Sequence, residues 1–166
     1  MECITIQHGE IRDNRTLDDL LKSGIEELFV VDLDSIRSGA PNLKLYGNLS
    51  KYFELIVMNY PYRVSDLIDT FVSGASRVVI SNDITDRLIR EYLSVSDQLV
   101  MKYANNTACR VFSLLGGNMF LSNIEINMIY STLYAYGVRI QSNTAITKRD
   151  SQKIIILDNF PAQEFQ

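Results

Sequence analysis

The sequence predicts an α/β domain built on a mostly parallel sheet, and three observations carry that expectation. Short β-branched apolar runs alternate with segments of helical periodicity along most of the chain. The run Leu28-Phe29-Val30-Val31 is apolar throughout, as a strand buried on both faces should be, and its carboxylates, Asp32 and Asp34, come only at the end. At 166 residues the chain is one domain by length, expected to bury roughly 70% of its unfolded surface without a disulfide or metal staple.

In order along the chain, the first strand spans about Cys3 to Gln7. Thr16 suits a helix N-cap, with Asp19 placed to return the bond and Gly24 to end the helix; Leu17, Leu20 and Leu21 then face the sheet. The second strand is read over Glu27 to Asp34. Pro41 opens a helix whose Leu45, Tyr46, Leu49 and Phe53 recur at three- or four-residue spacing. Leu55 to Met58 is the third strand. A helix over Ser65 to Ser73, closed by Gly74, leads into the fourth strand, Arg77 to Ile80. A helix from about Asp83 to Leu93 leads into the fifth, Gln98 to Tyr103.

Beyond the fifth strand, Ala104 to Ala108 is too short for a parallel crossover, so Cys109 to Leu114 reads as a strand of a β-hairpin. Gly116-Gly117 reads as a turn, because neither a P-loop lysine nor a following helix signature accompanies it. Ile124 to Tyr136 reads as a helix closed by Gly137. Val138 to Ile140 and Lys153 to Leu157 are strand candidates on either side of a polar loop, Ser142 to Gln152, and Pro161 to Gln166 is a fraying tail. No linker interrupts the series, so 1–166 is expected to be one domain.

Sixteen basic against twenty acidic residues give a net charge of −4 with no basic cluster, which removes nucleic acid from the expected partners. The start Met1-Glu2-Cys3-Ile4 has no signal-peptide pattern, and no apolar run approaches the ~18 residues of a membrane span. A cytoplasmic, membrane-free setting is expected. Cys3 and Cys109 have no disulfide or metal-clip spacing, and His8 is the single histidine, so neither a metal nor a cofactor is expected.

Asp32 and Asp34 end a strand where parallel α/β folds place functional groups, which makes them candidates for acid–base or binding work. The alternative is that one caps the following loop and the other pairs with a cation such as Lys102. His8, beside Gly9, is a candidate acid or base because imidazoles exchange protons near neutral pH, and equally an ordinary turn residue. Lys102 and Tyr103 end the fifth strand and point to opposite faces, so only one of them can face a site.

Two stretches carry a family resemblance. Gly24-Ile25-Glu26-Glu27-Leu28-Phe29-Val30-Val31-Asp32-Leu33-Asp34, running on to Gly39 and Asn42, resembles the second strand and loop of the histidine-biosynthetic ribotide isomerases. Ser73 to Ile80 is similar to that family's fourth strand, and Ile4 to Ile11 to its first strand and turn. The likeness covers about residues 1–140, leaving 141–166 as a divergent end.

That family is a (β/α)₈ barrel performing an Amadori rearrangement on a ribotide with two phosphates. The resemblance implies a shortened, barrel-derived parallel sheet, because such barrels ordinarily take ~250 residues. It would be open, irregular or completed by another chain, which implies a homo-oligomer or a partner subunit of a full-length barrel.

The family's chemistry does not carry over. Its first catalytic aspartate aligns with Thr5 and its second with Ala104 or Asn105, and neither a hydroxyl nor an amide can replace a tuned carboxylate. The glycine-rich phosphate loop aligns with Met58-Asn59-Tyr60-Pro61-Tyr62-Arg63, which has no glycine and loses a backbone donor at Pro61. Ser81-Asn82 aligns with a second part of that phosphate site, Arg63 stands near the loop as a candidate anion ligand, and Tyr103 is a candidate ligand contact. Tyr60 and Tyr62 are expected to fill the vacated space. The function implied is binding or assembly; the alternative is an isomerase or lyase acting on a small phosphorylated metabolite through Asp32, Asp34, Asp83, His8 and Lys102.

Overall fold

The parallel strands lie side by side in chain order. The structure, a computed structural model, describes residues 2–12, 15–104, 106–121 and 156–157. Strands β1 (Glu2–Gln7), β3 (Glu27–Asp32), β4 (Glu54–Met58), β5 (Ala75–Ile80), β6 (Leu99–Lys102) and β7 (Met119–Leu121) pair in parallel, each with the next. The short strands β2 (Glu10–Ile11) and β8 (Ile156–Leu157) add antiparallel edges beside β1 and β7. Helices α1 (Leu17–Lys22), α2 (Leu33–Ser38), α3 (Leu43–Leu49), α4 (Val64–Val72), α5 (Asp86–Val95) and α6 (Thr107–Leu114) occupy the connections.

Strand alternation divides the core into two apolar layers. Ile4, Val30, Val57, Ile80 and Met101 point toward α1, α3, α4, α5 and α6, whose Leu20, Tyr46, Leu67, Tyr92 and Phe112 pack in the same cluster. Phe29, Val31, Ile56, Met58, Val79, Val100, Met119 and Leu121 form the opposite layer, and among the described residues the only helical ones in it are Leu33 and Ile36 of α2. We call this second face the inner face. Register aligns Thr5, Val31, Met58, Val79, Val100 and Met119 across it as one row. The apolar runs of the sequence therefore have the double burial expected of them, in an α/β sheet that is mostly parallel.

Three element assignments change. The second strand ends at Asp32 rather than Asp34, because the Asp32 carboxylate accepts from the Asp34 and Ser35 backbone N–H groups and starts α2 there. The helix after Pro41 begins at Leu43 and ends at Leu49; Phe53 lies beyond it, still buried.

The hairpin after the fifth strand is absent. Cys109–Leu114 belongs to α6, capped by the Asn106 side chain on the Cys109 N–H, and α6 delivers the chain to the parallel strand β7. Ala108, Cys109 and Phe112 are its buried side, a helical spacing that β-branched Val111 obscures in the sequence. The turn at Gly116-Gly117 stands: Gly116 has φ +106°, and a Cβ on Gly117 would lie 2.4 Å from the Phe112 ring. The expected elements over Ile124–Ile140 and the tail lie outside the described residues. Of the Lys153–Leu157 candidate, Ile156–Leu157 is described, as an antiparallel strand.

No helix among the described residues is long and apolar enough to cross a membrane.

Candidate functional site

The carboxyl ends of β1, β3 and β4 carry a hydrogen-bonded polar network centred on Asp32, which is fully buried. One carboxylate oxygen accepts from Asp34 N (3.1 Å), Ser35 N (3.2 Å) and Asn42 Nδ2 (2.8 Å); the other accepts from Asn42 N (2.8 Å) and the Tyr46 hydroxyl. The four lone-pair positions of the carboxylate are thus more than filled, and no cation is among its partners. The expected pairing with Lys102 does not occur, because Asp32 has the strand parity of Val30 on the helix side and Lys102 that of Val100 on the inner face.

From Asp32 the network extends two ways. Tyr46 Oη accepts from Asn59 Nδ2 (3.4 Å), which also donates to Thr70 Oγ1 (2.9 Å). Burial, with the Asp32 carboxylate beside it, pushes the Tyr46 phenol far above its ordinary pKa, so it serves as a permanent donor. In the other direction Asn42 donates to Asp34 (2.9 Å), and Asp34 accepts from His8 N (2.6 Å) while Gly9 N donates to Asn42 Oδ1 (2.9 Å). The Asn42 amide, reinforced by the His8 backbone N–H, holds the Asp34 carboxyl below its usual range against a partial burial penalty.

His8 and Asp34 are therefore brought together, but through the backbone of the β1–β2 turn. The His8 Nδ1 lies 3.8 Å from Asp34 Oδ1, and its side chain is 80% exposed. His8 has φ +54°, an uncommon conformation for a residue with a side chain. Asn42, Tyr46, Asn59 and Thr70 were not among the sequence candidates. Tyr46 reads there as one more member of an apolar helix face, and nothing in its spacing shows that its hydroxyl reaches Asp32.

The remaining candidates separate. Arg63 is exposed and pairs with Asp66 at 3.4 Å. Asn82 laces two loops, donating to Lys102 O (3.0 Å) and accepting from Asn106 Nδ2 (3.2 Å). Tyr103 turns to the helix side, its ring edge-on to Phe120 with centroids 6.2 Å apart. Lys102, its neighbour, takes the inner face, where burial lowers its ammonium pKa. Cys109 is buried, which pushes its thiol up to about 11 and keeps it protonated.

A cavity of about 440 Å³ opens over the ends of β4 and β5, walled by Ile36, Tyr60, Tyr62, Ser81, Asp83 and Thr85. Its size suits a small molecule. Tyr60 packs its ring into the inner-face layer, whereas Tyr62 is half exposed and donates to Ile36 O (3.1 Å). No group of three or more potential metal-ligating His, Cys, Asp or Glu side chains occurs among the described residues. No protein-family model matches this chain, and no curated protein resembles it in sequence.

Proposed function

We propose that this chain is a divergent relative of the ribotide isomerases that binds a ligand or partner at the carboxyl ends of its strands and does not isomerise. One observation carries the reading: Asp32, the carboxylate of the best-matched strand, has both oxygens committed to five protein donors. A carboxylate so occupied has no lone pair to offer a substrate proton. Thr5, buried on the inner face, stands where the resemblance puts the family's first catalytic aspartate.

A barrel-derived sheet fits the same observations. Parallel strands in chain order, with five of the six described helices packed on one face and a second apolar layer on the other, support this reading. The alternative enzyme built on Asp32, Asp34, Asp83, His8 and Lys102 has less support, since among the described residues the hydrogen bonds that join members of this set, His8 to Asp34 and Asp34 to Asp32, both run through backbone N–H groups.

The test is turnover of the family's aminoimidazole carboxamide ribotide by the purified full chain, followed by chromatographic separation of substrate and product. The expected result is no conversion above the uncatalysed rate. Conversion at a rate comparable to a true family member overturns the reading.

A further inference from the structure

The 440 Å³ cavity over the ends of β4 and β5 is lined by charge of one sign. Among the described residues Asp83 is the one charged side chain on its wall, and no lysine or arginine joins it. The arginines that neighbour wall residues in sequence face other carboxylates: Arg37 acts on Asp34, Arg63 pairs with Asp66 at 3.4 Å and Arg87 with Glu91 at 3.0 Å. The amino end of α5 adjoins the cavity through Thr85, and a helix start taken alone favours anions. Here that end is already answered. Thr85 Oγ1 accepts from Leu88 N (3.2 Å), Asp86 lies in the first turn, and Asp83 stands just before the cap. Two carboxylates outweigh the roughly half charge of a helix end, so an added cation is favoured over an added anion.

The walls are braced by the protein itself. Tyr62 donates its hydroxyl proton to Ile36 O (3.1 Å), and its ring lies against Gly39, where a Cβ would come within 2.9 Å of two ring carbons. The Tyr92 hydroxyl donates to Pro61 O (2.7 Å) and so anchors the residue between the two tyrosines. Tyr60 is held by the inner-face layer, into which it packs. On the β5 side, Asp83 N donates to Ser81 Oγ (3.1 Å), a turn that fixes the residue bearing the carboxylate. A site held in this way loses little further freedom when a ligand enters.

Tyr62 remains half exposed despite these contacts, and Asp83 is exposed beside the same opening. Ile36, Ile84 and Leu88 add aliphatic wall. The negative face of an aromatic ring attracts a cation, more strongly where apolar neighbours exclude part of the water. A carboxylate that shares a cavity of this size with two tyrosines and three aliphatic side chains therefore complements an ammonium on an apolar body.

We propose that this cavity binds a small organic cation, a primary ammonium borne on a compact apolar body, with Asp83 as its counter-ion and Tyr60 and Tyr62 as aromatic walls. This rests on the binding reading above and assigns its ligand class. The ligand is opposite in charge to the phosphate that the family resemblance implies for these strand ends.

The experiment measures Kd on the purified full chain by saturation-transfer NMR for three probes of similar size: 2-phenylethylammonium, the neutral 2-phenylethanol and the anionic phenylacetate. The ammonium is expected to bind at least about threefold more tightly than either of the others, the scale of one exposed ion pair with a cation–π contact.

A second measurement uses Asp83→Asn. The bond to Ser81 runs through the Asp83 backbone N–H, so the amide leaves the turn intact. Kd for the ammonium is expected to rise at least about threefold, while that for the alcohol stays within about a factor of two. Asp18→Asn, which removes a carboxylate 77% exposed on α1, makes the same change in net charge and is expected to leave the ammonium Kd as in wild type. An ammonium that does not bind saturably overturns the proposal, as does a preference below threefold over either other probe. A loss in Asp83→Asn that is below threefold, or matched by Asp18→Asn, overturns it too. None of these outcomes bears on ribotide turnover, so this site and the absence of isomerisation fail independently.

Discussion

Asp32 sits at a strand end, a position that suits either catalysis or architecture, and there it is held by five donors from α2, the Asn42 loop and α3. Asp32→Asn turns one acceptor oxygen into a donor facing donors, leaving at least two buried N–H or O–H groups unpaired. The expected loss is roughly 2–5 kcal/mol of stability, read as a lower urea midpoint. Asp34 has a different, pH-dependent signature. Its folded pKa lies below the ordinary 3.8, so its contribution is complete above that value and is lost as pH falls through the folded pKa. Asp34→Asn is therefore expected to flatten the decline of melting temperature below about pH 4, and an acid limb identical to wild type would refute this. The residue types at these positions are legible in the sequence. Their saturation is not, because Asn42 and Tyr46 reach Asp32 from 10 and 14 residues away.

At the scale of elements, the clearest lesson is α6. Cys109-Arg110-Val111-Phe112 has the composition of a strand, yet the chain forms helix because Asn106 supplies an N-cap and Ala108, Cys109 and Phe112 share one face over the sheet. Local propensity was overridden by burial, as it is when a helix face finds a core to cover. Asn106→Ala is expected to cost about 1 kcal/mol through the lost cap, seen as a lower urea midpoint. A cost within a few tenths would mean that packing of Phe112 alone holds the helix. The Thr16 capping box, by contrast, was readable directly: Thr16 Oγ1 accepts from Asp19 N (3.2 Å), and Asp19 Oδ2 accepts from Thr16 N (2.8 Å). Its partners are three residues apart, so no tertiary information is needed to find it.

For the whole molecule, the two-layer core makes a specific claim about the inner face, which α2 is the one described helix to cover. Phe29 lies there fully buried, as Phe112 does on the helix side. If both faces are dry, Phe29→Ala and Phe112→Ala should each cost roughly 3–5 kcal/mol in chemical denaturation. A cost near 1 kcal/mol for Phe29→Ala alone would mean that its face is wet. The alternation of strands and helices and the double burial of the apolar runs were determined by the sequence itself, because they rest on periodicity and on short-range caps and turns. Only the tertiary structure decided that Asp32 is saturated, that Lys102 and not Tyr103 takes the inner face, and that Gln7 and Tyr60 carry polar atoms there with no partner among the described residues. Those outcomes depend on which distant backbones and side chains meet at the strand ends, and hydrogen-bond satisfaction at such meeting points leaves no trace in local sequence pattern.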